Sequence, residues 1–299
     1  MRKPKAVLLT ISALLIISVF LMSACGKKPV VNNEASAAPI NQSVITDKEF
    51  EAFAKKIQAE IATHWPHMGK VWPGLDYDNL NVVLFKYEAD DSISAAFLLN
   101  TKEMRSLAEK EYESLNPPSP GGYEKITFDG KNGISLSVSN EILKDKDSHA
   151  EYYRIATHEP IHFFYQDEIA ENAEADRSQA FPIDRTPRLY RSLIYNNLIL
   201  AYENHDKENT YLAHAKYWFN KWKTEFPEEY KAIKSTDIAE GIARYADNFG
   251  TFIGTAKTSE ELNKNAALNI ERNRVFLSAD GESYEIGYVA ALILDRKNP

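Results

Sequence analysis

The residues with the most chemistry per position lie in T-H-E-P-I-H-F-F-Y-Q, Thr157 to Gln166, which contains the pattern H-E-x-x-H. On a helix, His158 and His162 stand one turn apart on one face. Two imidazoles at that spacing can bind one Zn2+ ion, with Glu159 beside them to take a proton from metal-bound water. The flanking residues Tyr152, Tyr153, Ile155, Ile161, Phe163, Phe164 and Tyr165 are apolar on nearly every side, so the helix is expected to be buried. Burying two imidazoles and a carboxylate without partners is costly, and a metal ion removes that cost.

Pro160 sits between the two histidines. It lacks an N–H, and its ring crowds the carbonyl four residues back, so inside a helix it costs about 3 kcal/mol. Two expectations follow. A helix beginning at Thr157 or His158, with Thr157 as N-cap, would place the proline harmlessly in the first turn. A helix passing through it would kink, tilt His158 relative to His162 and point to a retired site.

A catalytic metal needs a third protein ligand and an open fourth position. The best candidate is Glu240 in I-A-E-G-I-A-R-Y-A-D, Ile238 to Asp247, where a carboxylate stands among small and apolar residues of an expected helix. Hydrolysis also needs a partner for the developing oxyanion. Tyr245, Arg244, Tyr284 and Tyr288 are available; Tyr245 is carried as the candidate and the other three stay open. Asp247, two turns after Glu240, could orient a ligand histidine, although it also reads as an ordinary polar position.

H-E-x-x-H followed far downstream by E-G-x-A-x-Y resembles the gluzincin metallopeptidases, in particular bacterial members with a long helical insertion between the two motifs. The similarity covers Tyr152–Gln166 and Ile238–Asp247 well, and Arg188-Leu189-Tyr190-Arg191 and Ser283–Leu294 more loosely. It hardly touches the region before Ser148. Glu240 follows His162 by 78 positions, a longer gap than in thermolysin-type enzymes. The resemblance implies a zincin-like fold, zinc held by His158, His162 and Glu240, Glu159 as general base and then acid, and a peptide or protein substrate. The alternative is a non-catalytic zincin-like surface lipoprotein that binds a peptide or envelope component.

The elements that must position these groups can be read along the chain. Residues 1–25 combine a basic start, an apolar run and small residues before Cys25, the only cysteine among 299 residues. This reads as a secretory signal ending in a lipobox. Cys25 would then be acylated and anchor the chain to the lipid bilayer outside the cytoplasm of a bacterial cell. No disulfide could form, so stability must come from a core. Residues 26–45, with Pro, Asn, Ser and Ala, suit a flexible tether.

The whole chain carries a net charge of −8, and removal of the signal takes away three basic residues and no acid. So acidic a chain argues against nucleic acid as a partner. Residues 46–147 read as an α/β portion. It holds an amphipathic helix from Thr46 to Trp65, strands over Asn81–Tyr87 and Ile93–Leu99, and a hairpin formed by Tyr123–Phe128 and Ile134–Val138.

Residues 148–299 read as helical, over Ser148–Ala173, Pro187–Glu203, Thr210–Glu225, Pro227–Ile233, Ser235–Phe249, Ser259–Leu277 and Tyr284–Leu294. The expected class is α+β, mostly α. A solute-binding protein with two similar α/β lobes is disfavoured by the helix-heavy second half.

Overall fold

A computed structural model describes residues 47–166, 184–272 and 279–297. The expected signal, lipobox Cys25 and tether lie outside these residues. No described helix is long and apolar enough to cross a membrane. Val44–Pro299 form one compact unit, so the expected boundary after residue 147 marks a change of secondary structure within that unit.

Helix α1 (Asp47–His64) buries Phe50, Phe53, Ala54, Ile57 and Ile61 along one stripe, as helical periodicity requires. The sheet follows: β1 (Asn81–Tyr87), β2 (Ile93–Leu99), β3 (Met104–Ser106), β4 (Tyr123–Phe128) and β5 (Lys131–Ser139), in the spatial order β3-β2-β1-β5-β4. Only the β1/β5 pair is parallel. Asp129 and Gly130, with φ of 51° and 70°, turn β4 into β5. Positive φ at both central residues is the geometry that lets a two-residue turn follow the strand twist. Strand β5 therefore begins at Lys131, ahead of the expected Ile134.

The central strand β1 is buried at all seven positions, and its alternation divides the core. Val82 and Leu84 face the main core with Ile57, Ile61 and Ala156, whereas Val83, Phe85 and Tyr87 pack with Leu98, Ile126 and Phe128 on the opposite face. A short helix α2 (Glu109–Tyr112) covers that second face through Tyr112, whose ring lies 5.3 Å from Phe85.

After α3 (Asn140–Lys144) the chain is helical: α4 (Ser148–Tyr165), α5 (Arg185–Glu203), α6 (Glu208–Glu225), α7 (Pro227–Gly250), α8 (Ser259–Leu268) and α9 (Ala279–Lys297). The architecture is α+β and mostly helical. Two expected helices merge into α7, because nothing between Ile233 and Ser235 breaks a helix and Thr236 is buried like its neighbours. Helix α8 ends at Leu268, short of the expected Leu277. The expected extension of α4 to Ala173 lies outside the described residues.

Helix α4 runs through Pro160 without starting there, which corrects the N-cap reading of Thr157. The side chain of Thr157 turns back instead, its hydroxyl donating to the Tyr153 carbonyl at 2.9 Å and accepting from Trp65 Nε1 at 3.0 Å. Beside the proline, the Thr157 carbonyl accepts from the buried Tyr77 hydroxyl at 2.6 Å. The carbonyl opposite the missing proline N–H is that of Ala156, so Tyr77 does not replace that donor but braces the next carbonyl of the same turn.

Candidate metal centre

Helix α4 packs on α1, β5 and α7, and α7 packs on α9. Two close approaches set these relations. At Gly250 an added Cβ would come within 3.0 Å of Thr157 Cγ2, and Tyr153 donates its hydroxyl to the Gly250 carbonyl at 2.9 Å, so the end of α7 is seated on α4. At Gly241 an added Cβ would meet Gly287 Cα at 2.3 Å, so α7 and α9 cross backbone to backbone beside Glu240.

Gly241→Ala is therefore expected to lower the melting temperature in spite of alanine's helix propensity. Overpacking costs about 1–3 kcal/mol, against a propensity gain of about 1 kcal/mol. A thermal melt that rises in Gly241→Ala would contradict the crossing.

A buried ionic cluster joins the same two helices to α5. Arg191, 1% exposed, donates from Nη1 and Nη2 to Asp237 of α7 at 2.7 and 2.6 Å and from Nε to Glu282 of α9 at 2.8 Å, and its guanidinium lies over the Trp222 ring. Arg188 pairs with Glu229 and Glu282. The loosely matching stretch Arg188–Arg191 thus clamps α5 to α7 and α9, and Ser283 of the other stretch donates its hydroxyl to Asp237 at 2.6 Å, joining α9 to α7.

Within this frame three ligand atoms converge. His158 Nε2 lies 3.1 Å from His162 Nε2, and both lie 3.3 Å from Glu240 Oε2. Among the described residues, these three form the group of His, Cys, Asp and Glu side chains able to hold a metal ion. Ligands about 2.0–2.1 Å from a tetrahedral ion are about 3.3–3.4 Å from one another, so the triangle has the size of three tetrahedral ligands. The tilt of His158 expected from a proline inside the helix has not separated the imidazoles.

The outer hydrogen bonds decide which atoms face the centre. His158 Nδ1 lies 2.8 Å from Asp247 Oδ2, and His162 Nδ1 lies 2.9 Å from Gln166 Oε1. Gln166 Nε2 donates to the Ala239 carbonyl at 3.0 Å, which leaves Oε1 as the acceptor. Both Nδ1 atoms therefore carry hydrogen, and in the neutral rings both Nε2 atoms present lone pairs toward each other and toward a carboxylate oxygen. Such a donor set fits a cation.

With only protons to satisfy it, the group shows the same demand. Burial alone would lower the His158 pKa, but hydrogen bonds to Asp247 and Glu240 outweigh it and push it up to about 9. Burial would raise Glu240, but the two imidazoles hold it far below the usual carboxylate range. Glu159 is shifted upward, chiefly by burial, with His158 and His162 opposing and Glu240 adding to it. His158 is almost fully buried, whereas the side chains of His162 and Glu240 keep 18% and 17% of their exposure, so the centre opens to solvent on one side.

Asp247, only 1% exposed, thus takes the orienting position rather than that of an ordinary polar residue. Asp247→Ala is expected to weaken metal affinity about 10- to 100-fold while leaving stoichiometry at saturation unchanged, as read by competition with a chelating dye. An unchanged affinity would remove Asp247 from the site.

The oxyanion candidates separate clearly. Tyr245, five residues from Glu240 and so about 140° around the helix, faces away from the ligands: its ring lies 4.4 Å from Phe249, and burial and then the charge of Asp295 on α9 raise its hydroxyl pKa. Its expected catalytic place is corrected on that ground. Tyr288 is fully buried and donates to the Ala266 carbonyl at 2.7 Å. Arg244 lies behind Asp247, 3.5 Å from its carboxylate. Tyr284 alone of the four lies against a ligand, its ring stacked on His158 with centroids 5.5 Å apart.

Two neighbours of the site were not foreseen. Gln166 follows His162 by four residues, a spacing that puts both on one helical face and could have found it. Tyr123 of β4 lies with its ring 6.4 Å from that of Phe163, one turn after Glu159, and no sequence spacing links a strand residue to a helix so far along the chain. Comparison with known proteins yields no relative: no family model matches the chain, and no curated protein or solved structure is significantly similar to it.

Proposed function

We propose that this chain is a zinc-dependent metallohydrolase of the zincin-like type, a peptidase tethered outside the cytoplasm through acylated Cys25. The observation that carries the reading is the triangle of His158, His162 and Glu240, whose hydrogen-bonded surroundings turn both Nε2 lone pairs inward. Bound there, a zinc ion would supply Lewis acidity and lower the pKa of a coordinated water.

The chain's own residues account for the rest. Asp247 and Gln166 hold the two imidazoles in the tautomer that leaves Nε2 free. Glu159, buried and raised in pKa, accepts a proton at its carboxylate and returns it to the leaving amine. Tyr284, against His158, is the candidate partner for the carbonyl oxygen as negative charge develops on it.

A peptide substrate is supported by the sheet edge beside the site. Strand β4 is the last in its sheet and is exposed at four of six positions. It is tied to the site helix by Lys125, which donates to the Phe163 carbonyl at 2.6 Å. An extended chain could pair with such an edge by main-chain hydrogen bonds.

Pro160 inside α4 is the observation that favours the second reading, a zincin-like lipoprotein that binds peptide without cleaving it. The undisturbed 3.1 Å between the imidazoles weighs against it. The full chain in detergent is to be assayed for metal content and for cleavage of a denatured protein mixture, with and without chelator. One zinc per chain with chelator-sensitive cleavage is the expected result; zinc without cleavage selects the second reading, and no metal removes both.

A further inference from the structure

We propose that His64 is a pH-operated latch: as a neutral ring it accepts the amide hydrogen of Gly254 and fastens the link between α7 and α8 to the end of α1, and on gaining a proton it lets that link go. The inference stands apart from the metal centre and from the hydrolase reading.

The geometry fixes the state of the ring. Gly254 N lies 3.1 Å from His64 Nδ1, and a backbone N–H can only donate, so Nδ1 carries a lone pair. The hydrogen of the neutral ring is therefore on Nε2, which lies 3.2 Å from Glu60 Oε2. An imidazolium carries hydrogen on both nitrogens and offers no acceptor. Protonation thus sets two N–H groups against each other at this contact.

The link is tied to α1 through that one amide. Those of Thr251, Phe252, Ile253, Thr255 and Ala256 donate to carbonyls between Asp247 and Phe252, whereas that of Gly254 goes to His64. The approach is close: a Cβ added at Gly254 would come within 2.0 Å of the Thr63 carbonyl oxygen. The link therefore meets the last turn of α1 backbone to backbone, with the imidazole as acceptor.

The surroundings of the ring set the direction of its response. His64 is 3% exposed, and burial, the largest influence, lowers its pKa below the ordinary 6.5, with Glu60 opposing and His67 adding to the shift. The ring is faced by Glu60 of its own helix, by His67 of the 3-10 turn Trp65–Lys70 and by the Tyr153 ring of α4, centroids 6.0 Å apart. Between the lowered pKa and 6.5 the unfolded chain binds the proton more readily than the folded one. The latch is therefore fully closed above that window and opens as the pH falls through the lowered value.

The test is amide hydrogen exchange of the full chain in detergent, read by mass spectrometry at Gly254 with amides of the buried strand β1 as reference. After correction for intrinsic rates, protection at Gly254 is expected to fall about tenfold between about pH 7.5 and about pH 5, while that of β1 holds. His64→Gln does not titrate, so exchange at Gly254 is expected to keep one corrected rate across the range, with circular dichroism as the control for folding. Glu60→Gln changes a side chain that is 42% exposed and removes a group that favours the charged ring, so the midpoint of the fall is expected to move to lower pH. Protection at Gly254 that ignores pH in the wild type, a fall that persists in His64→Gln, or a midpoint that stays or rises in Glu60→Gln each overturns the latch. Should His64→Gln fail to fold, the wild-type profile and the Glu60→Gln midpoint still decide.

Discussion

Glu159→Gln is expected to retain one metal ion per chain and to lose about 10²- to 10⁴-fold in the rate of peptide hydrolysis, the range a positioned general base contributes. Glutamine keeps the shape of the side chain, but it cannot take a proton. None of the three ligand atoms changes, nor do Asp247 and Gln166, so metal affinity is expected to stay within a few-fold of the wild type. Burial is the largest influence on Glu159 and disfavours its charge, so the neutral variant is expected to melt at the same temperature or higher. This combination separates a catalytic loss from an unfolded one. Equal cleavage by both proteins would sink the mechanism, and loss of metal in the variant would show that Glu159 holds the site together.

The second large effect concerns the ligands themselves. If the site takes zinc as proposed, saturation at about 100 times the dissociation constant is expected to stabilise the folded chain by about 2.7 kcal/mol. For a unit of this size that corresponds to a rise of about 5–10 °C in Tm over chelator-treated protein. His162→Ala and Glu240→Ala are expected to abolish that rise, because two remaining ligands hold the ion too weakly. In the metal-free protein Glu240 pairs with the imidazoles, and its hydrogen bond helps to push the His158 pKa up to about 9, so Glu240→Ala is expected to melt lower than the metal-free wild type. The zinc-induced rise is therefore read within each variant, against its own metal-free form. A zinc-induced rise that persists in both variants would place the ion elsewhere on the chain.

How far the sequence carries the argument depends on the range of each interaction. His158 and His162 share a helical face by periodicity alone, and the apolar residues around them signal burial, so α4 and the face on which its two imidazoles meet were legible. So were α1, β1, β2 and the hairpin, whose patterns are local. Glu240 could be singled out because a carboxylate among alanines and glycine needs a partner. The continuity of α7 was less legible, since a helix joint without Gly or Pro leaves no mark either way. Tyr245 misled because motif proximity says nothing about rotation: five residues along a helix turn a side chain away from its neighbour's target.

Residue types and helical spacing by themselves determined that two imidazoles and a carboxylate would share a face, that α4 would be buried, and that the class would be α+β with helix predominating. Three matters were left to tertiary structure. Whether Pro160 would separate the imidazoles was decided by Trp65, Tyr77 and Gly250, which brace Thr157 from outside its helix. Where Glu240 would reach was decided by the crossing of Gly241 on Gly287 and by the buried Arg191 clamp. Which groups would surround the centre, with Asp247 behind His158 and Tyr284 against it, was decided by the packing of α7 and α9 around α4. The physical reason is the same in each case: periodicity places a side chain on a face of its own element, and only contact between elements sets what that face meets.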